Sequence, residues 1–102
     1  MVKILIVEDN FFLQKALEEK LSNFSDIVIK DTAQNGEEAI AILEKNHVVD
    51  LILMDIEMPV MNGIKATEII KSKYPQIKIV MINIINKLPN IRGSLYTAFK
   101  IL

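Results

Sequence analysis

Three carboxylates follow short apolar runs and are of the residue type that binds metal ions or takes part in phosphoryl chemistry. Asp55 ends the apolar run at residues 51–54, and Glu8 and Asp9 follow the run at residues 3–7. Apolar runs of this length are typical of strands buried on both faces of a parallel sheet. Ligands of such open sheets bind just beyond the carboxyl ends of the strands. All three carboxylates are therefore expected at one ligand-binding edge.

Carboxylates placed close together repel one another unless a cation or a proton lies between them. A hard divalent cation such as Mg²⁺ suits this set, because it prefers oxygen ligands and retains several waters. One carboxylate could then act as a nucleophile toward a phosphoryl group and form an acyl phosphate while the metal offsets the developing charge. The simpler alternative is that Glu8 and Asp9 only cap the first helix and favour its N-terminus.

The elements that must position these carboxylates alternate along the chain. Period and turn signals predict strands at residues 3–7, 26–32, 51–54 and 77–82, and helices at about residues 10–23, 37–46 and 64–73. Strands that alternate with helices indicate a parallel sheet with helices on both faces. We predict an α/β, flavodoxin-like doubly wound sheet with strand order 2-1-3-4. Because the first and third strands are then neighbours, Asp9 and Asp55 are expected to converge.

The tail at residues 84–102 is ambiguous. Its apolar residues have helical spacing, and Pro89 suits the first turn of a helix. A fourth helix is therefore the favoured prediction, with a short strand at residues 96–102 as the alternative.

Length and composition exclude several classes of function. The 102 residues suit a single domain, and the net charge of −1 gives no electrostatic case for nucleic-acid binding. Without cysteine there is no disulfide or thiolate metal site, and the one histidine, His47, cannot form a histidine cluster. The N-terminus does not resemble a signal peptide, and no apolar run approaches the roughly 20 residues of a membrane span. A soluble cytoplasmic protein is expected.

Four motifs over about residues 2–83 resemble the response-regulator receiver domain of two-component signalling. They are I-L-I-V-E-D-N, A-Q-N-G-E-E-A, D-L-I-L-M-D-I-E-M-P-V-M-N-G and Y-P-Q-I-K-I-V-M-I. The resemblance implies that Asp55 is the phosphoacceptor, supplied by a sensor histidine kinase, a phosphotransfer protein or a small phosphodonor. It also implies that the chain catalyses only its own phosphoryl transfer and dephosphorylation and is otherwise not an enzyme.

The same resemblance implies a Mg²⁺ site. Its ligands would be Glu8, Asp9, Asp55 and the backbone carbonyl of Glu57, with Glu8 acting mostly through water. Pro59 and Gly63 would shape the loop that follows the phosphoacceptor.

The sequence departs from the family pattern at its C-terminal end. Asn83 stands at the switch position, where the family has Ser or Thr. The 19 residues after it are too few for the family's helix, fifth strand and fifth helix, so these last two elements are predicted to be missing. Lys100 is a possible substitute for the family's phosphoryl-binding Lys, and Lys87 is a weaker candidate.

A missing fifth strand would leave the fourth strand as a sheet edge. We therefore predict a homodimer through that edge or through the tail. One alternative function is a pseudo-receiver, an interaction module that dimerises without phosphate, and Asn83 favours it. An aspartyl phosphatase is disfavoured, because Glu57 replaces its usual second Asp and the chain has no room for a cap domain.

Overall fold

The structure, a computed structural model, describes residues 1–84 and 97–101. Strands and helices alternate up to the fourth strand, as the apolar pattern predicts. The elements are β1 (Val2–Val7), α1 (Phe11–Leu21), β2 (Ile27–Ala33), α2 (Gly36–Lys45), β3 (Leu51–Asp55), α3 (Gly63–Lys73), β4 (Lys78–Ile84) and β5 (Thr97–Ile101).

The strands form one sheet with the order β2-β1-β3-β4-β5. The first four are parallel, and β1 pairs with both β2 and β3. The predicted flavodoxin-like fold and the 2-1-3-4 order are therefore confirmed. Val7 is the register partner of Met54, so the residues that follow β1 lie beside the end of β3.

The tail contains a fifth strand, which runs antiparallel to β4. The favoured tail helix is wrong for residues 97–101, and the alternative strand is correct. The prediction that the family's fifth strand and fifth helix are missing agrees with the described residues, where β5 is a short antiparallel strand. The expectation that β4 forms the sheet edge is wrong, because β5 pairs with it. Thr97, Phe99 and Ile101 alternate with the strand period of two, and pairing with β4 satisfies backbone groups that a bare edge would expose. Within the described residues no helix follows β4.

Within the described part of the chain, each of the three helices begins after an asparagine that caps it. The side-chain oxygens of Asn10, Asn35 and Asn62 accept hydrogen bonds from backbone N–H groups three residues on, at 3.1, 2.9 and 2.9 Å. Such caps satisfy donors that the first helical turn leaves without a partner. The capping residue of α1 is thus Asn10, so helix capping does not account for Glu8 and Asp9.

The core lies mainly between the sheet and the helices α2 and α3. It includes the fully buried Leu5, Leu43, Ile52, Ile70 and Ile79. On the other face a smaller cluster joins Leu13 of α1 to Ile82. Among the helices that the structure describes, none has the length and hydropathy required to cross a membrane.

Candidate functional site

The predicted acidic cluster forms at the carboxyl edge of β1 and β3. Glu8, Asp9 and Asp55 each offer a carboxylate oxygen, and these atoms all lie within 4.8 Å of one another. Glu8 and Asp55 are only 1% and 2% exposed, whereas Asp9 is half-buried. The set contains only oxygen donors at a strand-end edge, and it therefore fits a hard cation such as Mg²⁺.

Glu8 is fixed through its backbone and its carboxylate. Its N–H donates to the carbonyl of Ala33 at the end of β2, over 2.9 Å. Its carboxylate Oε2 accepts a hydrogen bond from the backbone N–H of Asn10 at 2.7 Å. Asn10 thus orients the Glu8 carboxylate with its backbone and caps α1 with its side chain.

Gln14 is a buried polar residue that the sequence analysis did not single out. It is 9% exposed, and its Nε2 lies 3.3 Å from the carbonyl oxygens of both Glu8 and Ala33. In the helical pattern it falls between apolar positions, as Lys15 and Glu18 do, and such positions normally face solvent. No local signal marked it, because its partners lie on two strand ends.

The loop after Asp55 is anchored to its neighbours by backbone hydrogen bonds. Ile56 N–H donates to the carbonyl of Ile82 on β4 at 3.1 Å, and Gly63 N–H donates to the carbonyl of Ile56 at 2.9 Å. A Cβ atom on Gly63 would lie 2.1 Å from the carbonyl oxygen of Asp55. The start of α3 therefore packs directly on the backbone of the candidate phosphoacceptor, and this contact requires glycine. Glu57 lies in this loop and is exposed.

Val60, in the same loop, has a backbone conformation that valine rarely adopts. Its φ angle is 67°, and its side chain is 76% exposed. The left-handed region is unfavourable for β-branched residues, and burial of this side chain offers little compensation. The neighbouring Met61 accepts a hydrogen bond from Gly36 N–H at 3.0 Å, which ties the loop to the start of α2.

Replacing Val60 with Asn is expected to stabilise the protein. Asn tolerates the left-handed conformation, so the free energy of unfolding should rise by about 1 kcal/mol. Val48→Asn is the matched control, because Val48 is an exposed valine without a positive φ angle. Urea denaturation of both variants checks the prediction. A free energy of unfolding that does not rise in Val60→Asn, or that changes equally in the two variants, would contradict it.

The C-terminal candidates are placed only in part. Asn83 is exposed, one residue beyond Ile82, the register partner of Asp55. Lys100 pairs with Met81, so its backbone lies two strands from β3, or about 10 Å away, and one residue short of the Asp55 level. Its role as a cation for the site stays a prediction. Lys87 lies outside the described residues.

Comparison with known proteins identifies the family. The model of the response regulator receiver domain matches residues 4–97. A protein-glutamate methylesterase/protein-glutamine glutaminase of Methanococcus maripaludis is 40% identical over 86 residues, which is 84% of this chain and 23% of that protein. The chain thus spans about a quarter of the length of that relative.

Two solved structures from Thermotoga maritima have the same fold. The response regulator domain of CheB is 32% identical with a TM-score of 0.74, over 79% of this chain and 59% of that one. The response regulator protein TrrA, solved in complex with Mg²⁺-BeF, is 37% identical with a TM-score of 0.70, over 78% of this chain and 66% of that one. Together with the acidic edge, these matches show that the chain belongs to the response-regulator receiver domain family of two-component signalling.

Proposed function

We propose that the chain is the phosphoacceptor module of a two-component phosphorelay and is phosphorylated on Asp55 in the presence of Mg²⁺. The observation that carries the proposal is the convergence of three carboxylates at one strand-end edge, two of them almost fully buried. Burying like charges together is costly, and a divalent cation offsets that cost. The donor would be a sensor histidine kinase, a phosphotransfer protein or a small phosphodonor.

In the proposed reaction a carboxylate oxygen of Asp55 attacks the phosphorus of the donor phosphohistidine. The new O–P bond makes an acyl phosphate, while the N–P bond breaks and its electron pair leaves with the donor imidazole. Glu8, Asp9, Asp55 and the backbone carbonyl of Glu57 would hold Mg²⁺, which supplies compensation of the phosphoryl charge when bound. The hydrogen bond from Ile56 to β4 keeps the Asp55 backbone in place.

Intact mass spectrometry tests this proposal. Incubation with acetyl phosphate and Mg²⁺ should add one phosphoryl group, and Asp55→Ala or removal of Mg²⁺ with EDTA should abolish the gain. Asp26→Ala is the matched control, because Asp26 is exposed and distant in the sequence from all three carboxylates. A folded wild-type protein that gains no phosphoryl group would contradict the proposal and support an interaction module that acts without phosphate.

We also propose that the chain forms a homodimer through the tail strand β5, without binding nucleic acid directly. On the described part of the sheet β5 is the outermost strand next to β4. Outer strands offer backbone N–H and C=O groups to a second chain, and an antiparallel pair of β5 strands satisfies two-fold symmetry. Light scattering over a dilution series should give the mass of a dimer at high concentration, and this mass should fall toward that of the monomer on dilution. A monomer mass at every concentration would contradict this proposal.

A further inference from the structure

We propose that Gln14 is a positioning residue for the Mg²⁺ ligands, through its hold on the peptide that joins Glu8 to Asp9. This inference rests on the proposed Mg²⁺-dependent function and deepens it. Gln14 is buried in the first half of α1, six residues after Glu8. Its Nε2 lies 3.3 Å from the carbonyl oxygen of Glu8 and 3.3 Å from that of Ala33.

The two partners define the orientation of the Gln14 amide. Both are carbonyl oxygens, which only accept hydrogen bonds, so the nitrogen of the amide must face them. The Ala33 carbonyl also accepts from Glu8 N–H at 2.9 Å, as the final bond between β1 and β2. Gln14 therefore supplies the donor for the next carbonyl, that of Glu8, which lies beyond the last residue of β1.

The hydrogen bond to the Glu8 carbonyl has a direct consequence for Asp9. The Glu8 carbonyl belongs to the same planar peptide unit as the Asp9 N–H, and fixing one end of this unit fixes the other. Glu8 N–H and the Glu8 carboxylate are held separately, by Ala33 and Asn10. Gln14 thus completes the restraints on the segment that carries two of the three clustered carboxylates.

The choice of metal gives a readout that a merely structural role would not move. Mg²⁺ requires nearly ideal octahedral geometry, whereas Ca²⁺ accepts variable geometry and longer bonds. A loosened Glu8–Asp9 peptide should therefore weaken Mg²⁺ binding more than Ca²⁺ binding. Loss of stability without misplacement of the ligands would weaken the binding of both ions equally.

Calorimetric titration of Gln14→Met with MgCl₂ and with CaCl₂ tests the inference. The substitution preserves length and removes the donor. We expect the Kd for Mg²⁺ to rise about tenfold, which is in the range for mutations of residues that support metal ligands. The Kd for Ca²⁺ should change by less than about threefold. Gln14→Lys restores an N–H donor. It should therefore keep the wild-type ratio of the two Kd values even if its positive charge weakens the binding of both ions.

Two further variants keep the test decisive. Ile70→Val, in the buried core at α3, is a control for modest destabilisation and should leave the ratio unchanged. Gln14→Asn, whose amide is one methylene too short, replaces Gln14→Met if the latter does not fold. An unchanged ratio in Gln14→Met, or in Gln14→Asn where it is used instead, overturns the inference alone. A wild-type protein that binds neither ion overturns the proposed function as well.

Discussion

Gly63→Ala should destabilise the protein by about 3 kcal/mol or more and should disturb the phosphoacceptor position. An added Cβ would lie 2.1 Å from the carbonyl oxygen of Asp55, a backbone atom that cannot rotate away. Overpacking that forces the backbone to shift commonly costs 1–3 kcal/mol, and a contact this short belongs at the upper end. Urea denaturation measures the loss, and acetyl phosphate labelling of the folded fraction measures the effect on Asp55.

Gly36→Ala is the closest comparison that the chain offers. Gly36 and Gly63 are each the first residue of a helix and each follow a capping asparagine. At Gly36 the nearest atoms to an added Cβ are Ala66 Cβ at 2.7 Å and, both at 2.9 Å, Met61 Cγ and the Met61 carbonyl oxygen. These distances are longer than the one at Gly63, and the Met61 side chain can move, so the loss at Gly36 should be smaller. Equal or greater loss at Gly36 would contradict the assigned contact between Gly63 and the Asp55 backbone.

Asp9→Asn should stabilise the metal-free protein and at the same time remove its response to Mg²⁺. Asp9 lies with Glu8 and Asp55 in a cluster of carboxylate oxygens within 4.8 Å, so removing one negative charge relieves repulsion. We expect a gain of about 1 kcal/mol in EDTA, equivalent to about 4–8 °C in the melting temperature for a domain of this size. Ligand linkage predicts that Mg²⁺ raises the melting temperature of the wild type but has little effect on the variant.

Melting curves with EDTA and with Mg²⁺ provide both halves of this prediction. Asp26→Asn is the control, since Asp26 is exposed and should show the wild-type response to Mg²⁺. If Asp9→Asn melts lower than the wild type in EDTA, the carboxylates do not repel as described. If it retains the full Mg²⁺ response, Asp9 is not a ligand.

The strands and the acidic edge were predictable because their signals are local and agree with one another. Apolar runs of four or five residues identify β1 and β3, and the parallel order then places Glu8 and Asp9 beside Asp55. The predicted start of the second helix at residue 37 lies one residue from the observed start at Gly36, because the acidic Glu37 and Glu38 favour a first helical turn. These predictions needed only sequence spacing and the rules of parallel sheets.

The parts that sequence reasoning missed depend on contacts between distant segments. Gln14 is polar at a helical position, and only the ends of β1 and β2 explain its burial. Phe24 continues the apolar spacing of α1, yet the helix ends at Leu21 and Phe24 is 56% exposed. The apolar spacing of the tail fits both the helical and the strand period, and it is the pairing with β4 that favours the strand.

The most direct test of the central claim is to locate the phosphoryl group chemically. Protein treated with acetyl phosphate and Mg²⁺ is reduced with borohydride, which converts an aspartyl phosphate to homoserine, and is then sequenced by mass spectrometry. The receiver assignment predicts homoserine at position 55 and at neither position 9 nor position 26. Reduction at another residue, or none in folded wild-type protein, would contradict the assignment of Asp55 as the phosphoacceptor.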